Sequence, residues 1–148
     1  MAGVPEAIQA LRRAGYRVII VTNQPDVPRG LQRREVVEAI HKHLRQVLPI
    51  DDVRVCYHVD EDACACRKPK PGMLFEAARK WSLVLSQSFM VGDRWRDIEA
   101  GKAAGCRTVW IRNDYQERRP ENPDVIVGSL HEASILIVSM EEQGRAGI

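Results

Sequence analysis

The sequence predicts an α/β fold with three layers, α/β/α, around a mainly parallel, Rossmann-like sheet. Three observations carry that expectation. Short apolar runs with β-branched bias, such as "VIIVTN" and "SFMVGD", read as strands buried on both faces. Segments of helical period lie between them. Proline and glycine punctuate the junctions, at Pro71 before one helix and at Gly15 and Gly105 after two others.

Taken in order, "VPEAIQALRRAG" sets Val4, Ala7, Ile8 and Leu11 on one helical face and stops at Gly15. "YRVIIVTN" follows as a strand. Residues 32–48 carry Val36, Val37, Ile40, Leu44 and Val47 at helical spacing. "DVRVCYH" alternates like a strand. "PGMLFEAARKWSL" is a helix opened by Pro71, "SFMVGD" a short strand, and "RDIEAGKAAG" a helix ended by Gly105. "CRTVWI" and "DVIV" are two further strands. "SLHEASILIV" is the last helix, with Ser129 as its expected N-cap. Residues 1–140 are expected to form one domain and residues 141–148 a frayed tail.

Composition narrows the function. The chain has 148 residues, 45% hydrophobic and 28% charged, with a net charge of +2. So small an excess argues against a partner bound by bulk charge, nucleic acid included. No apolar run reaches the ~18 residues that span a bilayer, so no membrane partner is expected. Four cysteines without an export signal point to a reducing, cytoplasmic setting and to thiolate chemistry rather than disulfides.

Parallel sheets bind ligands at the carboxyl ends of their strands. Thr22-Asn23 closes the first strand, Lys68 lies in the connection after the second, and Gly92-Asp93 closes the third. A hydroxyl and turn amides suit phosphate oxygens, and a lysine supplies charge to an oxyanion. An aspartate at a strand end suits Mg²⁺, which takes few carboxylates beside water and phosphate. Singly, each has a plainer meaning: a strand-to-loop turn, a solvated lysine, a helix cap. Their occurrence together, in this order, is the signal. Cys56, His58, Cys64 and Cys66 spell C-x-H-x5-C-x-C, four ligands suited to tetrahedral Zn²⁺ in a closed structural site. The alternative is a chance cluster of thiols. Cys106, far along the chain, reads as a small core residue.

"VIIVTNQPDVPRG", "CYHVDEDACACRKPKPGML" and "MVGDRWRDIEAGKAAG" together resemble the haloacid dehalogenase superfamily, in the branch of the D,D-heptose 1,7-bisphosphate and histidinol phosphatases. The form "KPGM" leans toward the former. The resemblance runs over about residues 3–130 and implies a phosphomonoester hydrolase with a minimal cap and a zinc-bound loop. It implies roles position by position. Thr22 binds the transferring phosphoryl group, with Asn23, Gln24 and Pro25 lining the substrate. Lys68 neutralises phosphate and nucleophile, and Arg67 contacts substrate. Asp93 and the backbone of Arg94 hold catalytic Mg²⁺, and Asp97 joins them directly or through water. Cys56, His58, Cys64 and Cys66 hold structural Zn²⁺. Arg94 stands where the family often has lysine. The implied substrate is a small phosphorylated sugar or amino alcohol.

One family feature is missing from these residues. The family's first strand ends in D-x-D, where the first aspartate attacks phosphorus and the second is the acid-base. Here the first aspartate is Asp26, after the Thr22 strand. The expectation is therefore a chain that begins after the nucleophile-bearing strand and has little turnover of its own. The missing strand belongs between those ending at Thr22 and Asp93, where its loss opens a gap of ~10 Å. The expected outcomes are a truncated sequence, a repaired sheet, or a segment of a partner in the slot, self-association included.

Overall fold

A computed structural model describes residues 3–146. The elements follow the order α1 (Val4–Arg13), β1 (Ile19–Asn23), α2 (Arg34–Val47), β2 (Asp52–Cys56), α3 (Gly72–Trp81), β3 (Phe89–Gly92), α4 (Trp95–Ala104), β4 (Arg107–Ile111), β5 (Val125–Val127) and α5 (Leu130–Ala146). Two 3₁₀ turns, Asp60–Asp62 and Leu85–Gln87, lie in the connections. Pro5 opens α1, where a missing N–H costs nothing. Gly105 ends α4 at φ +85°, a left-handed turn that side chains resist. Ser129 caps α5 as expected, its Oγ accepting from Glu132 N at 3.1 Å. That helix runs on to Ala146. Residues 141–146 are thus helical where a frayed tail was expected, and residues 147–148 lie outside the described residues. Cys106 is only half-buried, one residue ahead of β4 rather than inside the core.

All strand pairs are parallel, and helices cover both faces. α1 packs on α5, and α5 on β4 and β5. α3 lies against β1 and β2, and α4 against β3 and β4. A buried apolar cluster forms around Val109, Val127 and Ala133, which gather Phe89, Val91, Ile111 and Val125. β2 departs from the expected alternation, because Asp52 and Val53 are both buried. Asp52 survives burial because Trp81 Nε1 (2.9 Å), Lys80 Nζ (3.2 Å) and Arg45 Nη2 (3.2 Å) meet its two oxygens. Burial alone would raise its pKa, but Trp81, Lys80 and the Val53 N–H hold it below the usual carboxylate value.

The sheet is in two pieces, β1-β2 and β3-β4-β5. No repair joins them. β1 is half-buried along its whole length, whereas Thr108, Val109 and Trp110 of β4 are all buried. Hydrogen-bond parity fixes which peptide groups are left over. Gln24 N donates to Cys56 O, and Asp51 N to Val18 O, so the even-numbered residues of β1 face β2. Ile19, Val21 and Asn23 therefore turn their N–H and C=O groups away from it. Ser88 O accepts from Arg107 N, so Phe89 and Val91 turn theirs away from β4 in the same manner. β1 and β3 present these edges to the break between the two pieces. Side chains link its two banks. Tyr16, just ahead of β1, sets its ring edge-on to Phe89 at 6.0 Å. At the carboxyl end, Lys68 makes the link.

Candidate phosphoryl-transfer site

Lys68 Nζ donates to Val21 O, a β1 carbonyl of the open edge, at 3.1 Å, and pairs with Asp97 Oδ1 at 2.5 Å. Its backbone is fixed by Asn23, whose Oδ1 accepts from Lys68 N (3.0 Å) and whose Nδ2 donates to Lys68 O (3.2 Å). The asparagine side chain thus completes two backbone bonds that β1 cannot reach. Thr22 Oγ1 accepts from Gln24 Nε2 at 3.2 Å and donates to Asn23 O at 3.4 Å. Pro25 carries the chain into the turn that follows, its carbonyl accepting from Arg29 N.

Asp97 reaches back along α4. Its Oδ2 accepts from Arg94 N at 3.1 Å, closing the helix's N-terminal box. Gly92 is required for this: a Cβ there would lie 2.3 Å from Asp97 Cβ and 2.4 Å from its Oδ2. Both Asp97 oxygens thus have protein partners, Lys68 Nζ on one and Arg94 N on the other. The Asp93 carboxylate faces the other way, its Oδ2 accepting from Tyr115 Oη at 2.8 Å. The Asp93 carbonyl accepts from Trp110 Nε1 at 3.1 Å and from Asn113 Nδ2. Thr22, Asn23, Lys68, Asp97 and the backbone of Gly92–Arg94 are thus tied into one cluster, while the Asp93 side chain sits on its flank. Asp93 offers a single strand-end carboxylate, already accepting from Tyr115 through Oδ2, and a lone carboxylate of this kind suits Mg²⁺, which takes few protein ligands beside water.

Arg67 is 9% exposed and held at 2.7 Å by Asp60, and its Nη1 donates to His58 O. Asp60 also faces Arg96 at 3.6 Å, and Arg96 Nη1 donates to Lys68 O at 3.3 Å. Arg67 next to it, and the charges of Arg96 and Arg29, hold the Asp60 carboxyl below its usual range. Sequence reasoning missed Asp60, Arg96, Asn113 and Tyr115. The rule of strand carboxyl ends could have found the last two, since they follow β4 directly.

The ligand atoms of Cys56, His58, Cys64 and Cys66 all lie within 4.8 Å of one another. Around a tetrahedral Zn²⁺, sulfurs would stand about 3.8 Å apart and sulfur and nitrogen about 3.5 Å. Cys56–Cys64 at 3.7 Å, Cys64–Cys66 at 3.6 Å, and His58 Nδ1 at 3.4 and 3.3 Å from Cys56 and Cys66 match that frame. Cys56–Cys66 at 2.7 Å is closer than the frame allows. The donor set therefore fits zinc after one sulfur moves by about 1 Å. Burial raises the Cys64 pKa, but the Arg67 N–H and the neighbouring thiols bring it down to about 7. Burial and the adjoining thiols push Cys66 up. Arg67 and Lys68 follow Cys66 directly, so the cysteine–histidine loop sets where both cations emerge.

A parallel sheet flanked by helices, with a lysine–aspartate clasp at its carboxyl edge, is an α/β architecture with its polar cluster at the edge where such sheets bind ligands. The chain belongs to the haloacid dehalogenase-like hydrolases. A family model described as HAD-hydrolase-like matches residues 65–133. The crystal structure of D,D-heptose 1,7-bisphosphate phosphatase from Bordetella bronchiseptica, complexed with magnesium and phosphate, superposes with a TM-score of 0.83 at 30% identity, over 95% of this chain and 84% of that one. The D-glycero-β-D-manno-heptose-1,7-bisphosphate 7-phosphatase of Pseudomonas putida is 35% identical over 80% of this chain and 71% of its own. Its counterpart in Rhodopseudomonas palustris is 42% identical over 71% of this chain. The match spans 65% of that relative's length and 63% of the Pseudomonas aeruginosa one.

Proposed function

We propose that this chain carries most of the active site of a Mg²⁺-dependent phosphomonoester hydrolase acting on a small sugar bisphosphate, D-glycero-D-manno-heptose 1,7-bisphosphate above all. The observation that carries the reading is the Lys68 ammonium, fixed by Asp97, Val21 O and the Asn23 side chain at the carboxyl edge of the sheet. In this role Thr22 and Lys68 receive the transferring phosphoryl group, and Asn23, Gln24, Pro25 and Arg67 line the substrate. Asp93 and the Arg94 backbone hold Mg²⁺, whose chemistry is to neutralise charge on the phosphoryl oxygens. Asp97 orients water. Zn²⁺ on Cys56, His58, Cys64 and Cys66 braces the loop that delivers Arg67 and Lys68. No helix among the described residues is long and apolar enough to cross a membrane.

The nucleophile is assigned to the D-x-D strand of the family. The break between β1 and β3, with parallel open edges on both sides, supports a strand in that slot. The break also favours a second reading, in which these residues bind a phosphorylated ligand without turning it over, or take a segment of a second copy into the slot. Phosphate release from heptose 1,7-bisphosphate with Mg²⁺ separates the two. The 148-residue chain is expected to be nearly inactive, and a version extended at its N-terminus by a strand ending in D-x-D to be active. Turnover by the chain alone would make another residue the nucleophile. Inactivity of the extended version would leave the binding reading.

A further inference from the structure

The loop from β4 to β5 is fastened to the Asp93–Arg94 turn from several directions. Asn113 and Trp110 hold the Asp93 carbonyl. Arg94 lays its guanidinium 4.6 Å from the centre of the Tyr115 ring and pairs with Glu117 at 2.9 Å. Asn113 Oδ1 accepts from Tyr115 N at 2.9 Å and so shapes the turn that presents the phenol. The phenol then donates to one oxygen of Asp93 only, Oδ2. Stacking on Arg94 and the Asn113 turn fix the ring, so this hydrogen bond is directed rather than incidental.

We propose that Tyr115 is a positioning residue for the divalent cation, holding Asp93 as a ligand through one oxygen by occupying the other. The inference rests on the reading that Asp93 binds Mg²⁺. A carboxylate oxygen that accepts from a phenol keeps a second lone pair, but two-oxygen ligation would compete with that hydrogen bond, so the phenol favours ligation through Oδ1. Mg²⁺, with short bonds and near-octahedral demands, takes carboxylates through one oxygen, whereas Ca²⁺ also accepts both. The phenol therefore does two things: it fixes the orientation of the ligand, and it tilts the site toward the smaller ion. Hydrogen-bond partners of metal ligands typically account for 10–100-fold in affinity.

Tyr115→Phe is the informative variant, because it keeps the ring beneath Arg94 and removes only the hydroxyl. Tyr115 is half-exposed on a surface loop, so its melting temperature should match the wild type. Mn²⁺ binding, read by electron paramagnetic resonance with Mg²⁺ and Ca²⁺ as competitors, is the measurement. The expected result is a site abolished by Asp93→Asn, weakened about tenfold for Mg²⁺ by Tyr115→Phe, with the Mg²⁺-to-Ca²⁺ preference reduced. A site that depends on Asp93 while Tyr115→Phe leaves both affinity and preference unchanged overturns the role of Tyr115 and spares the metal assignment. Mn²⁺ binding that is absent from the wild type, or indifferent to Asp93→Asn, overturns both. A merely structural tyrosine could lower affinity for both ions together but would leave their ratio where it was, and that result too counts against the proposal.

Discussion

Replacing Lys68 with methionine keeps the length of the side chain and removes its charge. The ammonium is paired at 2.5 Å with Asp97, and the two side chains are 14% and 9% exposed. The variant leaves a nearly buried carboxylate with one remaining donor, the Arg94 N–H. Breaking a buried pair from one side costs ~3–5 kcal/mol. The open edge of β1 lets water approach, which favours the lower figure, about 3 kcal/mol. In a chain of this size that lowers Tm by roughly 6–12 °C. The double variant Lys68→Met/Asp97→Leu removes the stranded charge as well. Beyond the Lys68–Val21 O bond that Lys68→Met already loses, it should forfeit only the helix-capping bond, about 1 kcal/mol. Chemical denaturation of the wild type, both single variants and the double variant gives the cycle. A coupling energy of about 2 kcal/mol or more is expected. Single-variant losses that simply add would refute the idea that Asp97 exists to hold the lysine.

Gly92→Ala should destabilise by about 1–3 kcal/mol, because the new Cβ displaces Asp97, and it should weaken anion binding without touching a charged residue; a melting curve and a phosphate titration check both. Elemental analysis should find about one zinc per chain, lost in Cys64→Ser, and a chelator should lower Tm, since an ion held at ~1,000 times its Kd contributes about 4 kcal/mol. Zinc affinity should also weaken as pH falls, because protons compete with the metal for the thiolates and the imidazole. Asp52→Asn should cost about 2 kcal/mol at pH 7. The folded pKa of Asp52 lies below its unfolded value, so its contribution is complete above roughly pH 4 and is lost as pH falls through the folded pKa. The stability difference between wild type and variant should therefore close in acid, measured by denaturation across pH.

The strands and helices were legible because each carries its own period and its own stop, as "YRVIIVTN" and Gly105 do. The conjunction of Thr22, Lys68 and the Gly92–Asp93 turn was legible because strand carboxyl ends share an edge in a parallel sheet. What the sequence could not convey is which partner each side chain chooses once there. Asp97 carries no mark of a clasp for Lys68; only the closeness of Gly92 lets it in. Asp60 reads as one acid among three in "DED", yet it faces both Arg67 and Arg96. Asp93 and Tyr115 meet because the turn after β4 folds back, a tertiary event with no local period. α5 outran its expected end because burial of Ile137 is followed by further helix-forming residues rather than a stop.

Titration of the chain with inorganic phosphate, in the wild type and in Thr22→Val and Lys68→Met, addresses the anion site itself. Saturable binding in the wild type, weakened about tenfold or more in each variant, is the predicted result. Equal affinity in all three, or no saturable binding in the wild type, would contradict the account.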